Sequence, residues 1–238
     1  MSPAPATRIV VEGRELSLSN LDKVLYPAAG FTKAGVIDYY TRVAPVLLPH
    51  LRQRPLTLKR YPDGVEAGHF FEKQCPSHRP PWVATAAVYS GSNDRTVDYC
   101  LADDLPTLVW VANLASLELH PSLSLASRLD CPRVLVFDLD PGPPAGLMEC
   151  AQVALAIRAV LSDLALESWP KSSGSKGLQI YVPLNTPVTY AETKPFAHAI
   201  ARLLERQLPE LVVSRMTKEL RTGKVFIDWS QNDEHKTT

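Results

Sequence analysis

Cysteine is scarce in this chain, and what there is follows no metal-binding or stapling pattern. Cys75, Cys100, Cys131 and Cys150 are widely spaced and include no C-x-x-C pair. That spacing writes neither a zinc ribbon nor a disulfide framework. "CPSH" gives Cys75 and His78 ligand-like separation with His69 just upstream, but alone it reads as a loop carrying a semi-buried thiol. Net charge is also missing: 25 basic and 25 acidic side chains cancel, so overall charge gives no argument for a polyanionic partner. No apolar run approaches the roughly 18 residues of a membrane span, and the opening MSPAPATR has no secretory apolar core. The expectation is a cytoplasmic protein with no membrane partner. Internal repeats and low-complexity linkers are absent as well.

The 238 residues, 45% apolar and 21% charged, are enough for one domain with a large core or for two small lobes, and a single compact unit is expected. Charge is unevenly distributed. From Met1 to Arg60 nine Lys or Arg face four acids, so one end can carry a basic face. "LSNLDKVLYP" reads as an amphipathic turn stopped at Pro27, and the segment after it as a helix with Thr32 as N-cap. "PLTLKRYP" alternates like a strand, as do residues 95–101. Further helices are expected over Leu105–Ser116, Gly146–Asp163 and Tyr190–Gln207, and "KVFIDWSQN" as a last strand. This alternation predicts a mixed α/β (α+β) architecture around central sheets.

The chemistry is concentrated in "VLVFDLDPG". A strand alternates its side chains, so Asp138 and Asp140 point the same way from the end of an apolar run. Two adjacent carboxylates repel, and a divalent cation, a basic side chain or a shared proton must neutralise them. Asp228 ends a second apolar run, Val225 to Ile227. Three carboxylates so placed could bind two divalent ions about 3.5–4 Å apart. One such Asp alone would merely pair with an arginine at a sheet edge. "KSSGSKGLQIYVPL" adds a turn whose small residues Ser173, Gly174, Ser175 and Gly177 let backbone N–H groups face a phosphate, with Lys176 as a point charge. The Walker A spacing is absent.

In order along nearly the whole chain, "LSNLDKVLYP", "FTKAGVIDYY", "LTLKRYPDG", "FFEK", "ELH", "VFDLDPG", "SSGSKGLQIYVPL" and "MTKELRTGKVFIDWSQN" resemble the polymerase domain of bacterial ligase D, in the archaeo-eukaryotic primase superfamily. The resemblance implies a primase-like core with mostly antiparallel sheets, and a template-dependent nucleotidyltransferase that fills gaps in non-homologous end joining. It implies that Asp138, Asp140 and Asp228 hold two catalytic metals, Mn2+ or Mg2+. Lys59, Ser173, Gly174, Lys176, Gln179 and Arg221 would bind the nucleoside triphosphate, and His120 would lie by its sugar, giving a preference for ribonucleotides. Phe70 and Phe71 would stack near base and template, whereas as a bare sequence they read as core. Asn20, Lys23 and Lys33 would grip the 5′-phosphate of a DNA end. Ku and a DNA ligase are implied as partners, and the location becomes nucleoid-associated cytoplasm. The chain would then be one primase-polymerase domain, 1–60 binding DNA ends and 61–238 forming the catalytic core.

Two departures accompany the resemblance. Gln179 stands where the family has histidine, and glutamine can donate a hydrogen bond but carries no charge. The chain also stops soon after Asp228, short of the family's C-terminal segment, which predicts a poorly held Asp228 and weak incorporation. Two other readings compete. A haloacid-dehalogenase-like phosphatase would use D-x-D as nucleophile and acid, although Pro141 and Gly142 do not continue that motif. A non-catalytic DNA-end-binding module would leave the acids structural.

Overall fold

A computed structural model describes residues 6–90 and 94–238. The chain divides into two compact units, residues 1–122 with Thr237 and residues 123–236 with Thr238. Each unit has its own hydrophobic core.

The first unit opens with a hairpin, β1 (Thr7–Val11) and β2 (Arg14–Leu18), then a short pair, β3 (Val24–Tyr26) and β4 (Phe31–Thr32). "LSNLDKVLYP" does contain a turn, at Leu21–Asp22, closed by Lys23 N donating to Asn20 O at 3.1 Å, but its Val24–Tyr26 part is a strand. Helix α1 (Lys33–Leu51) begins where expected, with Thr32 Oγ1 accepting from Gly35 N at 3.3 Å. Its buried residues Val36, Ile37, Tyr40, Ala44, Leu48 and Leu51 recur at three- and four-residue intervals, the stripe that faces a core. Strand β5 (Leu56–Arg60) pairs with β6 (Phe70–Glu72), touches β8 (Arg95–Cys100) at its start, and runs antiparallel to β9 (Ser116–Pro121); β7 (Thr85–Ser90) completes the sheet on β8. Helix α2 (Leu105–Asn113), capped by Asp104, ends three residues earlier than expected because Ser116 already belongs to β9. Both helices share a core with Leu56 and Leu58. Cys75 and Cys100 form a disulfide, which corrects both the free-thiol reading and the C-x-x-H ligand reading.

The second unit begins with β10 (Ser124–Leu125) and β11 (Arg128–Pro132), a small hairpin. Its main sheet has the order β13 (Trp169–Ser172), β14 (Leu178–Pro183), β12 (Val134–Pro141), β16 (Val225–Asp228), β15 (Val212–Val213), antiparallel except for the last pair. This bears out the mixed, mostly antiparallel fold class. Helices α3 (Leu147–Asp163) and α4 (Tyr190–Gln207) keep their expected bounds, each begun by a glutamate three residues in: Glu149 accepts from Gly146 N and Glu192 from Thr189 N, both at 2.7 Å. Ile157 and Leu161 of α3 and Ile200 and Leu204 of α4 pack with Leu135, Phe137, Leu139, Val225 and Ile227. One sheet face is thereby covered by helices, and the alternate residues lie on the other. No helix among the described residues is long and apolar enough to cross a membrane.

The segment after Asp228 is firmly held, contrary to expectation. Asn232, fully buried, accepts from Val136 N at 2.9 Å and donates to Val136 O at 2.7 Å and Trp229 O at 3.0 Å. Its amide substitutes for a strand partner on β12. The Trp229 indole donates to Ser214 O at 3.0 Å and stacks on His198 at 3.9 Å. Asn232→Ala should orphan the N–H and the C=O of buried Val136, at about 1–3 kcal/mol each. A melting temperature lowered by roughly 5–10 °C is expected. A drop below about 2 °C on that scale would show that the clamp contributes little.

Candidate active site

Leu135, Phe137 and Leu139 of β12 point into the helix-covered core, so Asp138 and Asp140 both lie on the open face. On β16 the same alternation sends Val225 and Ile227 inward and puts Asp228 on the acid face, directly opposite Asp138 in register. On the other side Asp138 faces Gln179 of β14, which faces Lys171 of β13. Lys171, Gln179, Asp138 and Asp228 therefore form one row across four strands. Sequence reading had missed Lys171, because its place in the row depends on the β13–β14 register.

Burial, followed by the charges of Asp140 and Asp228, pushes the Asp138 carboxyl up to about 7, against the Gln179 hydrogen bond and the Lys171 charge. Asp140 is also raised, by burial and Asp228, with Arg221 opposing. Each acid has its own partner. Asp228 accepts from Ser230 N at 2.9 Å, Ser230 Oγ at 2.6 Å and Gln231 Nε2 at 3.2 Å, and Asp140 lies 3.8 Å from an Arg221 nitrogen. Tyr181 Oη lies 3.0 Å from Gln179 Oε1, an acceptor that orients the amide so that its nitrogen donates to Asp138. Gln179 thus serves this site as a neutral donor.

Two glycines permit the close approach that this site requires. A Cβ on Gly177 would lie 1.9 Å from Leu139 O, and one on Gly142 would lie 2.0 Å from Arg221 O. The turn after β13 and the segment bearing Arg221 are therefore pressed against the end of β12. In the turn, Ser173 Oγ accepts from Ser175 N at 3.3 Å and Gly177 N at 3.2 Å, while Ser173, Gly174 and Lys176 are partly or fully open to solvent. The hydroxyl occupies the acceptor position that a phosphate oxygen could take. The Arg221 guanidinium lies 3.8 Å over the Phe226 ring and donates to Met216 O, while its buried Nε has no hydrogen-bond partner.

The first unit carries two further clusters. Glu118 of β9 accepts from Lys59 Nζ at 2.7 Å and from the Tyr61 hydroxyl, and lies 3.1 Å from His120 Nε2. Burial raises its pKa, but these hydrogen bonds outweigh burial and hold it below the usual range. His120 meets Phe71 edge-on at 5.6 Å, with Lys59 Nζ 5.4 Å from the same ring. Phe70 and Phe71 are both exposed, at 43% and 57%, so neither is a core residue. Phe70 instead lies under the Arg60 guanidinium. Glu118 was absent from the expected site, although the "ELH" motif contains it.

Asn20, Lys23 and Lys33 line one cavity of about 670 Å³, together with Arg60 and His78, which the resemblance did not single out. Lys33 is 6% exposed and donates to Ser19 O at 2.8 Å. Burial, then the charges of Lys23 and Arg60, bring its pKa down to about 8. Lys23 pairs with exposed Asp63 at 2.6 Å. Cations crowded so closely suit an anion.

Residues 32–238 match the family described as LigD, primase-polymerase domain. The chain belongs to that family. It is 44% identical over 233 residues to the multifunctional non-homologous end joining DNA repair protein LigD of Mycobacterium tuberculosis H37Rv, covering 94% of this chain and 30% of that protein. It is 34% identical over 225 residues to the bifunctional LigD of Bacillus subtilis 168, covering 94% of this chain and 36% of that one. It also matches a solved structure, the polymerase domain from Mycobacterium tuberculosis ligase D in complex with DNA, with TM-score 0.87 and 43% identity over 94% of this chain and 80% of that one. The chain thus spans about a third of the length of these curated relatives. As a LigD primase-polymerase domain it is a nucleotidyltransferase of the primase-like polymerase class, which displaces the phosphatase and the non-catalytic readings.

LigD polymerase domains depend on metal. Among the described residues no three His, Cys, Asp or Glu side chains are already gathered as a cage. The donor set nonetheless fits a hard divalent cation: oxygen ligands only, on one face, in mutual repulsion that a dication relieves.

Proposed function

We propose that this chain binds 5′-phosphorylated DNA ends and extends a primer opposite a template during end joining, preferring ribonucleoside triphosphates. The observation that carries this reading is the row of Asp228, Asp138 and Gln179 beside the Ser173–Gly177 turn, which puts metal-type and phosphate-type donors on one sheet face. Asp138, Asp140 and Asp228 would hold two ions, Mn2+ or Mg2+, which when bound acidify a primer hydroxyl and stabilise the leaving pyrophosphate. Ser173, Gly174 and Lys176 take the triphosphate by backbone N–H, hydroxyl and ammonium donors. Arg221, with its unpartnered Nε, adds a charge-assisted donor there. Lys59 and His120, oriented by Glu118, serve triphosphate and sugar, and exposed Phe70 and Phe71 offer ring faces to bases. Asn20, Lys23 and Lys33 hold the 5′-phosphate. Ku and a DNA ligase are the expected partners at the break, and the nucleoid the expected location.

Primer extension with ribo- and deoxynucleotides, in manganese, magnesium or chelator, tests the reading. Metal-dependent, template-directed incorporation is expected. DNA binding that persists without extension under any of these metals would overturn it. Sugar choice has its own test. His120→Ala should reduce the ribo-to-deoxy ratio of kcat/KM by about tenfold, the value of one hydrogen bond to a 2′-hydroxyl, and an unchanged ratio would remove His120 from the sugar.

A further inference from the structure

A groove of about 580 Å³ runs along the second unit between the C-terminal half of α4 and β15. Arg202, Arg206, Arg215 and Lys224 line it against one carboxylate, Glu205. This surplus stands in a chain whose formal net charge is zero. Glu205 is already engaged, accepting from Ser214 Oγ at 2.6 Å and lying 3.6 Å from Arg215. Lys224 donates to Pro209 O at 2.5 Å. Arg202 and Arg206 are exposed and have no ion-pair partner among the described residues. They are four residues apart on α4, so both guanidiniums extend along one side of the groove. The helix dipole accounts for a cation at Arg206, in the last turn, but not for Arg202, Arg215 or Lys224. His198, in the wall, is stacked flat on Trp229, the residue after Asp228.

We propose that this groove is a second nucleic-acid site, which takes successive phosphodiester groups of a DNA strand through Arg202, Arg206 and Arg215. Arg202 and Arg206 stand exposed about one helical turn apart on α4, and Arg215 comes from the segment after β15, so the groove offers cations from separate points of its lining. That arrangement suits a polyanionic backbone better than a single phosphate. The groove shares no residue with the acid row, the Ser173–Gly177 turn or the Lys33 cavity.

The proposal rests on the reading of this chain as a DNA-end binder, and the experiment separates the two. Parent and R202Q/R206Q proteins are titrated by fluorescence anisotropy with 5′-phosphorylated recessed duplexes of increasing length, across a salt series. Removing two phosphate contacts should reduce the slope of log K against log[salt] by about 1.8, and affinity by about thirtyfold at ~0.15 M salt. Both changes should appear only above a threshold duplex length, with the nucleotide KM and melting temperature unchanged. If the parent binds DNA and the variant matches it at every length, the groove assignment falls while the end-binding reading stands. If the parent binds no DNA, both fall. A variant that loses calorimetric binding of inorganic tripolyphosphate, or of polyglutamate, while keeping the parental DNA slope would make the groove a free-anion or acidic-protein site and overturn the proposal.

Discussion

Asp138→Asn should silence nucleotide incorporation and, in chelator at pH 8, raise the melting temperature of the same protein. Both effects follow from the position of Asp138 between Gln179 and Asp228. Burial and the charges of Asp140 and Asp228 place its folded-state pKa near 7, above the ordinary 3.8. The folded chain therefore holds this proton through a pH range in which the unfolded chain has lost it. Stability from this group is present at pH 4, declines as pH rises towards 7, and is fully lost above that. Three pKa units correspond to about 4 kcal/mol, and partial exposure and side-chain relaxation reduce this to roughly 1–3 kcal/mol. Asparagine keeps the shape and a hydrogen-bonding oxygen for Gln179, and it never pays the ionisation cost. The variant should melt several degrees above the parent at pH 8 and level with it at pH 4. Divalent cation should raise the parent more than the variant, since the relieved repulsion is larger in the parent. Extension should drop below about a tenth of the parental rate, the loss expected when a metal's surroundings are damaged. An equal melting difference at pH 4 and pH 8, or extension above that level, would show that Asp138 is not the strained metal ligand described here.

The acid face was legible in sequence because it depends on period-two alternation within single strands. Val134–Phe137 and Val225–Ile227 read as strands on composition alone, and the side on which Asp138, Asp140 and Asp228 emerge follows from counting. The helices were equally legible as ranges, with a cap written locally at Thr32. What was not legible depends on contacts between distant segments. Glu118 joins Lys59 to His120 only because β5 and β9 pair in the register that puts Lys59 opposite Glu118. The Asn232 clamp closes across 96 residues, and no local pattern distinguishes Asn232 from the other polar residues of the tail. Cys75 and Cys100 meet because the loop before β7 hydrogen-bonds to β8, Cys75 N to Asp98 O. The core that β5 shares with α1 and α2 has a similar origin, since counting basic residues locates a charged end but not the distant segments that pack together.

Lys33→Met should abolish the preference for 5′-phosphorylated over 5′-hydroxyl DNA ends, and in the parent that preference should fade as pH rises above about 8. Methionine keeps an unbranched apolar stem in the 6%-exposed site and removes only the ammonium. The lost charge-assisted contact is worth about 1.5–3 kcal/mol, or roughly ten- to a hundredfold in affinity for phosphorylated ends. Lys23→Ala should have the smaller effect, because Lys23 is more open to water and already paired with Asp63. The pH dependence arises from crowding: burial, then Lys23 and Arg60, lower Lys33 to about 8. Below that value the charged form burdens the folded state, and stability from this group rises between about pH 8 and 10.5 as the proton leaves. Phosphate binding has the opposite sign, since it needs the proton in place. A terminal phosphate has its second pKa near 6 and can only gain charge from pH 7 to 9, so the loss of affinity in that window belongs to the protein. Bound phosphate stabilises the ammonium, which moves the midpoint in the complex above 8. Anisotropy titrations of matched phosphorylated and unphosphorylated ends at pH 7, 8 and 9 (a window centred on the pKa of about 8) read this directly. A flat ratio across that window in the parent, or equal loss on both ends in the Lys33→Met protein, would make Lys33 part of a general basic surface rather than the floor of a phosphate pocket.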